Sequence, residues 1–325
     1  MLGVLALVMV VVIATLGGFY VYASGASGPQ TALQFTVPEG ATTSEVAELL
    51  EQKGVIRSSF LFRLLARFRD VSTQAGLYEL STNMNLAAVF DELNAGPVPP
   101  PSVTFAIPEG LRVDEIANRA AEQLGFTAEG FMKAARSGDF SLPPYLAEGT
   151  TSLEGFLFPK TYEFFPNPKP KAVIERMLDQ FSTEVEDLPW SNADQFGLTP
   201  YQVVVAASLI EREARADEDR GKIARVIYNR LGIGQALEID ATIQYALGEN
   251  RPITNDDKAI DSPYNTYQHT GLTPTPIAAP GLESIRAALE PTPGDWLYYL
   301  VVDPESGRHE FFETYDEFLQ ALNSR

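Results

Sequence analysis

Phe35-Thr36-Val37-Pro38-Glu39-Gly40 recurs as Phe105-Ala106-Ile107-Pro108-Glu109-Gly110, at an offset of about 70 residues. Each copy reads as a short apolar strand, a Pro-Glu-Gly turn and an amphipathic helix. Val46, Leu49 and Leu50 share a face of the first helix; Ile116, Ala120 and Leu124 share a face of the second. Thr43 or Ser44 is placed to cap the first helix, and Asp114 stands near the start of the second. Strands and helices in alternating short pieces make the fold α+β.

Working outward, the first copy continues with a helical stretch from Phe60 to Phe68 and a returning strand, Gly76-Leu77-Tyr78-Glu79-Leu80. That strand–helix–helix–strand order resembles a small LysM-like sugar-binding module; the alternative is that both copies are scaffold only. Pro97-Val98-Pro99-Pro100-Pro101 reads as a stiff extended linker and a domain boundary. Upstream, Leu2 to Ala23 carries no charge, and 22 residues at 1.5 Å each cover about 33 Å, enough for a bilayer core of roughly 30 Å. A cleaved signal peptide is the rival reading. Against it, the apolar run exceeds the usual length of about 7–15 residues, and no basic residues precede it. The expected organisation is a transmembrane anchor at 1–23, a small polar tether at 24–34, the LysM-like module at 35–101, and a larger mixed α+β catalytic domain at 102–325. The first basic residue is Lys53, so charge does not orient the anchor. A short N-terminus before a large acidic body fits a single-pass cell-membrane protein with residues 24–325 extracytoplasmic.

Composition narrows the chemistry. Lys+Arg 24 against Asp+Glu 43 leaves a net charge of −19, which disfavours nucleic acid as a partner. Cysteine is absent, removing disulfides, thiolate nucleophiles and Cys-ligated zinc. Only His269 and His309 remain, read as a loop and a strand residue, so no metal and no cofactor is expected. Catalysis, if present, falls to carboxylates.

Tyr201 to Arg215, YQVVVAASLIEREAR, follows the helix-start signal Thr199-Pro200. Val203, Ala206, Leu209, Ile210 and Glu213 share one face; Val204, Ala207, Ser208, Glu211 and Arg215 form a neighbouring one. Glu211 and Glu213, two apart, project about 200° from each other and cannot enter one cleft together. Glu213 continues the more apolar stripe, where desolvation would keep it protonated as an acid. Glu211 has Arg215 one turn on and could pair with it. Both could equally be solvent-facing charges at a helix end.

Further motifs follow: Leu153–Tyr162 (LEGFLFPKTY), Tyr228-Asn229-Arg230-Leu231, Leu237-x-x-Asp240-x-Thr242-x-x-Tyr245, Tyr264-Asn265-Thr266-Tyr267, a Gly271-Leu272-x-Pro274 loop running to Pro280-Gly281, and a strand at Trp296–Val301 paired with Arg308–Phe311. With AASLIEREA (Ala206–Ala214), and in this order, they resemble the endolytic murein transglycosylase (YceG-like) family over nearly the whole chain. Thr273 and Thr275 depart from the family's commoner Pro-Pro-Gly, and Phe318 stands where a His is common; these bear on loop shape and rim contacts. The resemblance implies cleavage of peptidoglycan strands between N-acetylmuramic acid and N-acetylglucosamine without water, leaving 1,6-anhydro ends. It places the general acid at Glu213, with Glu211 in reserve. It suggests Asn229, Asp240, Thr242, Tyr264, Asn265, Tyr267 and Glu154 as sugar contacts, and the wall-synthesis machinery as a partner. A two-carboxylate hydrolase, with Asp240 opposite Glu213, and a non-enzymatic glycan-binding scaffold are the alternatives.

Overall fold

The computed structural model describes residues 2–25, 28–137, 140, 152–303 and 305–324. The chain divides into two compact units, Met1–Pro101 and Ser102–Arg325.

In the first unit, α1 (Leu2–Ser24) is a continuous apolar helix whose side chains are described from Met9 to Tyr22. No helix among the described residues is long and apolar enough to cross a membrane. The anchor expected over 1–23 falls in part on Met1 and on side chains outside the described residues. Beyond it, β1 (Ala32–Val37) pairs antiparallel with β2 (Gly76–Ser81), setting Phe35 opposite Tyr78 and Leu33 opposite Leu80. Between them lie α2 (Thr43–Gln52) and α3 (Ser59–Ala66). Phe35, Val46, Leu50, Phe62 and Tyr78 form the core, with the ring of Phe90 of α4 (Leu86–Ala95) tilted against that of Phe62 at a centroid distance of 4.8 Å. The residue that caps α2 is Thr42 rather than Thr43 or Ser44. Its hydroxyl accepts the Glu45 N–H at 3.3 Å, and Glu45 accepts the Thr42 N–H at 2.7 Å. The Pro-rich linker is not wholly free, because Val98 N–H donates to Leu77 O at 2.6 Å.

The second unit repeats more of the first than its opening strand and helix. β3 (Val103–Ala106) pairs antiparallel with β4 (Thr161–Phe164), and α5 (Val113–Leu124) and α6 (Ala128–Ala135) lie between them in sequence. Phe105 faces Tyr162 as Phe35 faces Tyr78. Each tyrosine hydroxyl donates to the carbonyl four residues back, Gln74 at 2.8 Å and Phe158 at 2.6 Å. The two Pro-Glu-Gly turns end on glycines at φ +75° and +77°, the left-handed conformation that a side chain would strain. Asp114 lies in the first turn of α5, and the N-cap is Arg112, whose N–H is taken by Glu115 at 2.9 Å.

After α7 (Pro170–Val185) comes α8 (Pro200–Glu213), opened by Thr199 and Gln202 in a reciprocal cap. Val203 through Ile210 are all buried, so the two sequence stripes are both core faces and the helix is the unit's axis. Ser208 is tolerated there because its hydroxyl donates to Val205 O at 2.7 Å and accepts the Ile277 N–H at 3.0 Å. α9 (Arg220–Gly232), α10 (Asp240–Leu247) and α11 (Leu282–Leu289) surround it. A hairpin of β5 (Tyr298–Asp303) and β6 (Arg308–Phe312) follows, then α12 (Tyr315–Asn323).

Candidate active site

Glu211 and Glu213 share the last turn of α8 and go opposite ways. Glu211 Oε2 accepts the Gly281 N–H at 3.0 Å and the Ser284 hydroxyl at 2.7 Å, so it caps α11 where unpaired N–H groups and the helix dipole favour an anion. The Arg220 guanidinium lies 3.9 Å from its other oxygen. Arg215, the partner suggested by the sequence, lines the cleft on the far side instead. Glu211 is a fully engaged structural carboxylate, which removes the case for it as the reserve acid.

Glu213 opens onto a cleft of about 650 Å³ formed by the end of α8, the start of α10, the loop bearing Lys258 and Tyr267, the β5–β6 hairpin and α12. Its Oε2 accepts the Tyr299 hydroxyl at 2.9 Å. Burial pushes its carboxyl above the ordinary value; the Tyr299 hydrogen bond opposes that, the Asp240 charge adds to it, and Arg212 and Arg215 oppose it. The result is a carboxyl biased toward the protonated form beside space for a substrate. Tyr299 itself is held well above its usual range by burial and by Glu213.

The other sequence-predicted residues separate into two groups. Asp240, the first residue of α10, and Tyr267 line the cleft together, the tyrosine hydroxyl donating to the Asp240 carboxylate. Burial and that contact raise the Tyr267 hydroxyl, and Lys258 Nζ sits 4.4 Å from its ring centroid. The remaining five are bound to the protein's own groups and are absent from the cleft lining. Asn229 Nδ2 donates to Gly294 O and Trp296 O, at 3.1 and 2.9 Å, holding the approach to β5. Buried Asn265 donates to Lys258 O and Ile260 O and accepts the Tyr267 N–H at 3.0 Å, fixing the loop that presents Tyr267. Thr242 bonds Ile239 O and the Thr266 hydroxyl. Tyr264 meets the Thr275 hydroxyl at 2.9 Å and packs its ring 4.8 Å from Tyr245.

Glu154 does not reach the cleft. It is buried at the start of α5, accepting the Val113 N–H at 3.0 Å and the Tyr245 hydroxyl at 3.2 Å. Burial drives its carboxyl up to about 8, against those two hydrogen bonds. A carboxyl raised on folding binds more protons in the native state between its ordinary value of 4.5 and about 8. Stability therefore falls as pH rises through that window. Thermal melts at pH 5 and pH 8 should show a drop in the wild type and a smaller one in Glu154→Gln.

Sequence reasoning missed Tyr299, the direct partner of Glu213. The strand pattern places Tyr299 and Val301 on one face, and both line the cleft with cross-strand His309. No local signal, however, joins residue 299 to residue 213. Tyr298 also lines it, stacked over Arg230 at 5.1 Å, and Phe318 and Tyr315 complete an aromatic rim. His309 Nδ1 lies 3.1 Å from Asp219, and among the described residues no group of three or more His, Asp or Glu side chains could hold a metal. A larger cavity, about 1000 Å³, lies at the other end of α8 around Tyr201, Tyr228 and Leu272. It is lined by no carboxylate, so acid chemistry points to the smaller cleft.

The profile of the YceG-like family matches residues 35–324. The endolytic murein transglycosylase of Bacillus subtilis (strain 168) is 32% identical over 326 residues, covering 94% of this chain and 89% of that protein. The protein of the same name from Streptococcus pneumoniae (strain ATCC BAA-255 / R6) is 32% identical over 301 residues, covering 84% of this chain and 54% of that protein. A crystal structure of a yceG-like protein from Listeria monocytogenes superposes with a TM-score of 0.61 at 29% identity, covering 90% of this chain and all of that one.

Proposed function

Because this chain belongs to the YceG-like family, and because its cleft presents one protonation-biased carboxyl, we propose that it is a lytic transglycosylase acting on peptidoglycan. Glu213 protonates the glycosidic oxygen between N-acetylmuramic acid and N-acetylglucosamine as the bond to C1 breaks. The resulting carboxylate takes the proton from the muramic C6 hydroxyl, which attacks C1 and closes a 1,6-anhydro ring. One residue thus serves as acid and then base, and water is not a reactant. The observation that carries this reading is the division of labour within one helical turn: Glu211 is locked into the α11 cap, and of the two it is Glu213 that faces the cleft. Tyr299 orients Glu213, while Asp240 and Tyr267 offer polar groups to sugar hydroxyls and N-acetyl groups.

Cleavage is endolytic, a reading supported by the names of the Bacillus subtilis and Streptococcus pneumoniae relatives. The body is extracytoplasmic, held to the cell membrane by residues 1–23, with the 35–101 module on glycan and wall-synthesis enzymes nearby. Liposome flotation of the full chain, but not of a chain lacking residues 1–23, is the expected result for the anchor. Co-purification with glycan polymerases tests the partnership, and its absence from a protein still anchored and active counts against it.

The presence of Asp240 in the same cleft favours one second reading, a hydrolase in which Asp240 activates water or attacks the sugar. Asp240→Asn separates the two. A hydrolase loses about 10²–10⁴-fold in turnover with its second carboxylate. The transglycosylase keeps its anhydro products, and its pH profile moves. Glu213 must be protonated to act, so activity falls as pH rises through its raised value. Asp240 adds to that rise and Tyr299 opposes it. The alkaline limb is therefore expected at lower pH in Asp240→Asn and at higher pH in Tyr299→Phe. A pH–rate profile of each variant checks the pair, and shifts in the same direction would exclude this wiring.

A further inference from the structure

The duplicated strand–helix–helix–strand unit supplies its own comparison. In the second copy the Pro108-Glu109-Gly110 turn is occupied by the chain itself. Gly110 N–H donates to Ala279 O at 2.8 Å and Ala279 N–H donates to Leu111 O at 2.8 Å, so an extended residue is seated by backbone pairing. The Arg212 guanidinium donates to Gly110 O at 3.1 Å, and Arg220 lies 3.9 Å from Glu109. The Asn250 amide donates to the Glu115 oxygen that the cap leaves over.

The first copy keeps the same cradle. Pro38-Glu39-Gly40 has the same positive φ at its glycine, and Thr42 and Glu45 form the same cap. Yet Gly40 is exposed where Gly110 is buried, and the groove between the turn and α2 measures about 380 Å³. Ala41 stands where the second copy has Leu111, leaving more room. Glu48 on its rim is paired with Arg63 at 3.0 Å. Among the described residues, Glu39 has no ion-pair partner and the Gly40 backbone has no described hydrogen bond.

We propose that this groove binds an extended, basic segment of a partner protein. Such a segment would pair its backbone with Gly40 and Ala41, as Ala279 pairs with Gly110 and Leu111, and would itself bring to Glu39 the cation that α9 supplies to Glu109 through Arg220 in the second copy. The inference rests on the internal duplication alone and is independent of the reaction at Glu213.

The test is to pan a library of random twelve-residue peptides on the full-length protein in detergent. Affinities of the selected peptides are then measured for the wild type, Glu39→Lys and Glu92→Lys, the last placing the same charge change on α4, outside the groove. Expected are Arg- or Lys-containing peptides that bind Glu39→Lys at least tenfold more weakly and Glu92→Lys unchanged. Selection without basic residues, or equal weakening by both variants, would overturn the proposal, the latter because bulk charge would explain it. Displacement of the peptides by an N-acetylglucosamine tetramer, with tetramer binding lost in Glu39→Lys, would assign the groove to glycan and overturn it as well.

Discussion

Glu213→Gln is expected to lower turnover on uncrosslinked glycan strands by about 10³-fold, within the range of about 10²–10⁴ that a positioned general acid contributes. Gln keeps the shape and an oxygen to accept from Tyr299, but it can neither give a proton to the leaving oxygen nor take one from the C6 hydroxyl. The same change removes a carboxyl that burial disfavours as an anion, so the variant is expected to melt no lower than the wild type. Loss of activity without loss of stability is the pattern to look for, by product analysis and thermal melts on one preparation.

Glu211→Ala should do the reverse. It strips the Gly281 N–H and the Ser284 hydroxyl of their acceptor and takes one carboxylate from buried Arg220. Removing one partner of a buried ion pair costs about 3–5 kcal/mol. Arg220 retains Asp217 and half-exposed Glu109, which brings the expectation down to about 2–3 kcal/mol. For a unit of this size that lowers the melting temperature by roughly 5–10 °C. Glu211→Gln, which restores the acceptor without the charge, should recover part of the loss. Whatever fraction of Glu211→Ala remains folded should still yield the wild-type product. If Glu211→Gln instead matched the wild type in stability and lost activity, the two roles would have to be exchanged.

The directions of these carboxylates were legible in the sequence because a helix has a fixed angular step: two residues apart on α8, Glu211 and Glu213 could not meet. The strand–turn–helix repeat was legible for the same reason, through periodicity and a turn that needs glycine. The return of its second half, read in the first copy, was not legible in the second, because Gly76–Leu80 and Thr161–Phe164 share only an alternating pattern around Tyr78 and Tyr162, and the second strand is displaced by the longer stretch before it. The cap of α2 slipped by one residue because Glu45 completes it from inside the helix, by accepting the N–H of Thr42. Among the site residues, polarity alone could not separate Tyr267, which faces the cleft, from Asn265 and Thr242, which spend their hydrogen bonds on loops beneath it. Glu154 shows the same ambiguity at higher cost: a carboxylate in a motif reads as a ligand contact, and here it is a buried support for α5. Tyr299 was beyond reach because its contact spans 86 residues and depends on the hairpin packing against the end of α8.

The most direct measurement is mass spectrometry of the reducing ends released from uncrosslinked, peptidoglycan-derived glycan strands by the wild-type protein beside Glu213→Gln. Muramic ends lighter by one water, as the 1,6-anhydro form, from the wild type alone are the expected result. Ordinary reducing ends would contradict the single-carboxyl mechanism and move attention to Asp240, and equal anhydro product from Glu213→Gln would contradict the assignment of the acid.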